Sequence, residues 1–156
     1  MKLAIVIGRF QPLHLGHMSL IDRAQQEADK VLLLVGSAKQ LPDYKNPFSF
    51  EERVQLIRGV YGNTPDLIIR PLLDVPSDNE WVMNVIGEAN SIEEDPTEIM
   101  ILTHEKDEDF YREHFIYPVE TLKEVPISAT QIRHAWYTAS LWTVEEYLTE
   151  GVCVFL

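Results

Sequence analysis

Cysteine is almost missing from this sequence. Cys153 is the single one among 156 residues, so no disulfide can form within the chain and a disulfide-stapled scaffold is excluded. A reduced, cytoplasmic setting is the expectation. Long apolar runs are missing too. The N-terminal run Leu3-Ala4-Ile5-Val6-Ile7 is far shorter than the roughly 20 residues a transmembrane helix needs, and no membrane partner is expected. Positive charge is scarce: 13 Lys and Arg stand against 25 Asp and Glu, a formal net charge of −12. A surface so negative repels nucleic-acid backbones, which argues against a nucleic-acid partner and requires any anion site to be a local basic pocket. Internal repeats, low-complexity tracts and linkers are absent. So are the G-x-G-x-x-G dinucleotide fingerprint and any clustered Cys, His and carboxylate set of zinc type.

The sequence does contain the makings of one core. A length of 156 residues, 46% apolar and 24% charged, fits a single globular domain over residues 1–156. The organising stretch is Gly8-Arg9-Phe10-Gln11-Pro12-Leu13-His14-Leu15-Gly16-His17. A strand-like run precedes it. His17, Leu20, Ile21, Ala24 and Ala28 follow at helical spacing. Strand, loop and helix in that order put a helix N-terminus, with unpaired N–H groups and a positive dipole end, at the carboxyl edge of a strand. Two imidazoles and the Arg9 guanidinium at that point suit a phosphate. The His-x-x-His spacing also fits a metal pair on one helix face, but no further ligands stand nearby, so no side-chain metal site is expected.

Continuous apolar runs at 30–36, 67–73 and 98–103 read as strands of a parallel sheet covered on both faces, with a fifth strand within 117–125. Right-handed crossovers between them give a doubly wound α/β sheet with a ligand site at the carboxyl ends of the strands. Ser-x-x-Glu or Ser-x-x-Gln capping boxes open helices at Ser49, Ser77 and Ser128, and Thr143 caps a last short helix. The predicted inward faces are Phe50, Val54, Ile57 and Tyr61; Val82, Val85, Ile86 and Ala89; and Ile132, Ala135, Trp136 and Ala139. Trp81 falls at the margin of its stripe, and reads either as a lid on the core or as a plate for a flat ring. Thr103-His104 at a strand end reads either as a ligand contact or as an ordinary surface pair. Residues 90–96 read as solvated acidic loop. Thr130 and Arg133, three apart, share a helix face near a second N-terminus.

Gly-Arg-Phe-Gln-Pro-x-His-x-Gly-His resembles the nicotinamide mononucleotide (NMN) adenylyltransferases of archaeal and bifunctional bacterial type, within the His-x-Gly-His nucleotidyltransferase superfamily. Ile127-Ser128-Ala129-Thr130-Gln131-Ile132-Arg133 is similar to the family's second motif, with Ala129 where relatives carry Ser or Gly. Lys45-Asn46-Pro47-Phe48 looks like its substrate loop, with Lys45 where archaeal relatives usually carry Arg. Residues 77–81 look like the segment presenting a nicotinamide-stacking Trp, and residues 103–107 like the loop near adenosine.

The resemblance implies a Rossmann-like nucleotidyltransferase fold and adenylyl transfer from ATP, with Mg²⁺, to NMN, giving NAD and pyrophosphate. It implies His14, His17 and Arg133 as catalytic. Gly8, Arg9, Phe10, His17, Ser128, Thr130 and Arg133 would bind ATP, and Arg9, Lys45, Asp78 and Trp81 would bind NMN. Members are often homo-oligomers. Bifunctional members add a Nudix hydrolase domain, whose Glu-rich signature is not seen here, so a chain without it is expected. The rivals are a related transferase acting on nicotinate mononucleotide or phosphopantetheine, a cytidylyltransferase, and a non-catalytic nucleotide sensor.

Overall fold

Five apolar runs form five parallel strands: β1 (Leu3–Gly8), β2 (Lys30–Val35), β3 (Leu67–Pro71), β4 (Ile99–His104) and β5 (Val119–Leu122). The computed structural model describes residues 1–138, 140–149 and 151–152; Ala139 and Cys153 lie outside them. The sheet order is β3-β2-β1-β4-β5. Leu3 pairs with Lys30 on one side and Ile99 on the other, so β1 is the central strand. Chain progression reverses between β1 and β4, which makes their carboxyl ends the topological switch point, where open α/β sheets hold ligands.

Helices α1 (Leu15–Glu27), α2 (Phe50–Tyr61), α3 (Asp78–Asn90), α4 (Glu108–His114) and α5 (Ala129–Tyr137) complete the unit. Side chains alternate across β1, so Ala4 and Val6 pack with Leu20, Ile21 and Ala24 of α1 and Ile57 of α2. Leu3 and Ile5 pack on the other face with Val82, Val85 and Ala89 of α3 and Tyr111 of α4. Burial on both faces is why the strands read as unbroken apolar runs. A third cluster joins Ile132 and Ala135 of α5 to Leu56, Val144, Leu148 and Val152. The result is the expected doubly wound, Rossmann-like α/β fold. Among the described residues no helix is long and apolar enough to cross a membrane.

Local details depart from expectation in three places. The inward face of α2 is Arg53, Leu56 and Ile57, with Val54 only half-buried, because α2 must face the sheet with one edge and the α5 cluster with the other. The boxes at Ser49 and Ser128 close in both directions, whereas Ser77 accepts from the Glu80 N–H without the return bond. Thr143 caps no α-helix. Its hydroxyl donates to the Ser140 carbonyl at 2.8 Å and closes a turn, so 3₁₀ turns at Leu141–Thr143 and Glu145–Tyr147 replace the expected helix.

Candidate active site

The loop from β1 to α1 is built around ring packing. Phe10 sits at φ +54°, in the left-handed region uncommon for a side chain of its size, and its ring is buried. The ring lies over Gly8, where a Cβ would come within 3.1 Å of it, and against His17 at 4.5 Å between centroids. Gly8 and Phe10 therefore specify each other. Gln11 is buried and clasps the chain before α2: its amide nitrogen donates to the Phe48 carbonyl and its oxygen accepts the Phe48 N–H, both at 2.9 Å.

His14 and His17 form a capping box of their own. The Gly16 N–H donates to His14 Nδ1 at 3.0 Å, and the His14 N–H donates to His17 Nδ1 at 3.3 Å. The rings stack with centroids 3.8 Å apart. Gly16 is required here because a Cβ would sit 2.7 Å from His14 Cε1. Burial depresses both imidazoles, His14 to about 4 and His17 well below its ordinary value, and the neighbouring His104 and Lys106 add to the effect. Each ring is thus neutral at physiological pH. With Nδ1 committed as an acceptor, the proton is on Nε2, which is then the hydrogen-bond donor.

The second motif meets the first directly. Ser128 caps α5, and Arg133 lies one turn inside it. Arg133 Nη1 donates to the Gln11 carbonyl at 2.9 Å, and Nη2 donates to Thr130 Oγ1 at 3.2 Å. The N-termini of α1 and α5 therefore open onto one cavity of about 640 Å³, within the range of small-molecule sites. Its wall includes Gly8, Arg9, Phe10, His14, His17, Asp78, Trp81, Ser128, Thr130 and Arg133. Of the residues expected at the site, only Lys45 is not on this wall. It is exposed and borders an adjoining cavity that shares Arg9, Thr130 and Arg133. Trp81 packs edge-on to Phe110 and Phe115, and it borders the cavity. Thr103 and His104 also border the cavity, with His104 Nε2 3.4 Å from Ser19 Oγ.

Two features were not anticipated. Arg53 is 1% exposed and holds the loops after β1 and β2 together. It donates to the carbonyls of Arg9 (2.9 Å), Gly36 (2.6 Å), Ser37 (3.2 Å) and Ser49 (3.2 Å). Its spacing with Leu56 and Ile57 is the signal the sequence offers, a weak one because cations usually face solvent. The second is an acidic flank: Asp74, which accepts from Ser37 Oγ at 3.0 Å, together with Asp107 and Glu124, borders the same cavity as the cations. Among the described residues no group of three or more His, Cys, Asp and Glu is placed to hold a metal ion.

Comparison with known proteins matches the sequence and the fold. Residues 5–135 match the cytidylyltransferase-like family. The chain is 34% identical to the nicotinamide/nicotinic acid mononucleotide adenylyltransferase of Acinetobacter baylyi, over 97% of its own length and 83% of that protein's. It is 41% identical to the nicotinamide-nucleotide adenylyltransferase of Methanolobus tindarius over 56% of this chain and 51% of that one. The bifunctional NMN adenylyltransferase/ADP ribose pyrophosphatase of Francisella tularensis superposes with a TM-score of 0.81 at 29% identity, covering 88% of this chain and 42% of that one. A second structure of that protein is complexed with AMP and a manganese ion.

Proposed function

The chain belongs to the cytidylyltransferase-like family, and on that premise we propose that it is a nicotinamide-nucleotide adenylyltransferase, joining ATP and NMN to give NAD and pyrophosphate. The observation that carries this reading is the meeting of the two helix starts, with Arg133 bonded to Gln11 beside the paired histidines.

The 5′-phosphate of NMN attacks the α-phosphorus of ATP. One P–O bond forms, the bond from the α-phosphorus to its bridging oxygen breaks, and pyrophosphate leaves. A phosphate monoester with a second pKa near 6 is mostly ionised at neutral pH, so no general base is needed. The protein's task is to align the reactants and to stabilise charge on the phosphoryl oxygens. His14 and His17 present Nε2–H donors to those oxygens. Because both rings are held neutral, their donor geometry is fixed before substrate arrives. Arg9, Arg133, Ser128, Thr130 and the free N–H groups of α5 hold the triphosphate. Gly8 lets the chain turn close beneath the nucleotide, and Phe10 supports His17 from below. Trp81 stacks on the nicotinamide ring, and Asp78 accepts from NMN hydroxyls. Lys45 answers the NMN phosphate from the adjoining cavity.

Mg²⁺ would accompany ATP, held by its phosphates. It would supply charge neutralisation on the phosphate oxygens. The reading includes a single nucleotidyltransferase domain over residues 1–156, a cytoplasmic setting, self-association as a homo-oligomer and no nucleic-acid partner, the last supported by the net charge of −12. Nicotinate mononucleotide is a second acceptor, in keeping with the double name of the Acinetobacter relative.

An acceptor panel tests the proposal. With ATP and Mg²⁺, pyrophosphate release is expected with NMN and at most weakly with phosphopantetheine. Release that depends on phosphopantetheine alone, or no release with any acceptor, would refute it.

A further inference from the structure

Two exposed tyrosines join the loop between β2 and α2 to α5. Tyr137 Oη donates to the Tyr44 carbonyl at 2.8 Å, and the two rings stack with centroids 4.5 Å apart and planes 17° from parallel. The same loop is fixed elsewhere by local turns and by the first motif. Asp43 accepts the N–H groups of Lys45 and Asn46, Asn46 Oδ1 accepts from Arg9 Nη1, and Gln11 clasps Phe48. The tyrosine contact is different in kind, because it reaches the helix that carries Arg133.

Its position has a consequence for Lys45. Tyr137 lies one helical turn beyond Arg133, and Tyr44 directly precedes Lys45. The cavity between loop and helix, about 760 Å³, is bordered by Arg9, Lys45 and Arg133 and, among the described residues, by no carboxylate. In a chain of net charge −12 that is a local concentration of positive charge. It opens beside the catalytic cavity through the shared Arg9, Thr130 and Arg133. Tyr44 is 65% exposed and Tyr137 40%, so neither ring belongs to the core and the contact contributes little to folding.

We infer that Tyr44 and Tyr137 are positioning residues, a latch that fixes the tip of the 38–48 loop against α5 so that Lys45 faces Arg133 across the phosphates. The inference rests on the adenylyltransferase reading and on Lys45 serving the NMN phosphate. The latch acts through Lys45, with no contact of its own to substrate. Tyr137→Phe keeps the ring stack and removes the donor; Tyr44→Ala removes the stack.

Steady-state kinetics of NAD formation test it, with ATP and NMN each varied. Tyr137→Phe should raise KM for NMN about fivefold, the worth of one hydrogen bond. Tyr44→Ala should raise it at least as much. In both, kcat, KM for ATP and Tm should stay close to wild type. Added to Lys45→Met, Tyr137→Phe should raise KM for NMN no further. An unchanged KM for NMN, an equal rise for ATP, or a full additional effect in the double variant would overturn the latch. Wild-type protein that forms no NAD would instead overturn the reading of function beneath it.

Discussion

Arg133 Nη1 and the Gln11 carbonyl lie 2.9 Å apart although 122 positions separate them in the chain. This bond fixes the start of α5 against the loop that precedes α1. It also satisfies a buried backbone acceptor. Two anion-seeking helix ends are thereby held in one frame before any ligand arrives.

His17 presents a donor whose direction is set by its own Nδ1 bond. Removing one preorganised donor to a developing phosphoryl charge costs about 2.7–4 kcal/mol. His17→Ala should therefore lower kcat roughly a hundredfold or more, with circular dichroism showing the fold retained. An unchanged kcat would make His17 a packing residue only.

His14 makes stability depend on pH. Its folded value of about 4 lies below the ordinary value near 6.5, so the unfolded chain binds the proton more readily. This contribution is complete above pH 6.5 and declines as pH falls towards 4. Asn is a good N-cap and does not titrate in this range. His14→Asn should therefore lose less Tm than wild type between pH 7 and pH 4.5. Parallel Tm curves for the two would contradict the assignment.

The main architecture was legible in the sequence because burial on two faces writes itself as apolar runs, and because Gly8, Gly16 and the Ser-x-x-Gln box mark turns and helix starts. What was not legible has specific physical causes. Arg53 points inward because its guanidinium bonds four loop carbonyls there, an arrangement set by the folded loops and invisible in helical spacing. Lys45 was expected with the other site residues, yet its loop turns at Asp43 and faces the neighbouring cavity. The sequence presents the histidine pair as two expected ligand contacts. That the pair also forms a capping box, which sets both tautomers, is visible only in the folded loop.

Arg53 supports the site from behind. Replacing it with Met takes their side-chain donor from the Arg9 and Gly36 carbonyls, at about 1–3 kcal/mol each, whereas the Ser37 and Ser49 carbonyls still accept the N–H groups of Gln40 and residue 53. For Arg53→Met we expect a net loss of about 3 kcal/mol, which for a chain of this size lowers Tm by roughly 10 °C. Arg53→Lys should recover part of it. A Met variant as stable as wild type would show that these bonds contribute nothing net.

In the proposed reaction Trp81 would carry the acceptor's ring. Stacking on an aromatic side chain is worth about 1–3 kcal/mol per base, so Trp81→Ala should raise KM for NMN about tenfold or more and leave KM for ATP unchanged. Its packing on Phe110 and Phe115 means Tm should fall as well. Trp81→Phe separates the two effects by restoring most of the NMN affinity. Equal weakening towards both substrates would rule out the stacking role.

The chemistry itself is decided by which phosphorus is attacked. ATP labelled at the α-phosphate, incubated with NMN, Mg²⁺ and the protein, should place all transferred label in NAD and release unlabelled pyrophosphate in equal amount. Label confined to ADP or AMP with no labelled NAD, or release of orthophosphate from the γ-position in place of pyrophosphate, would contradict adenylyl transfer at this site.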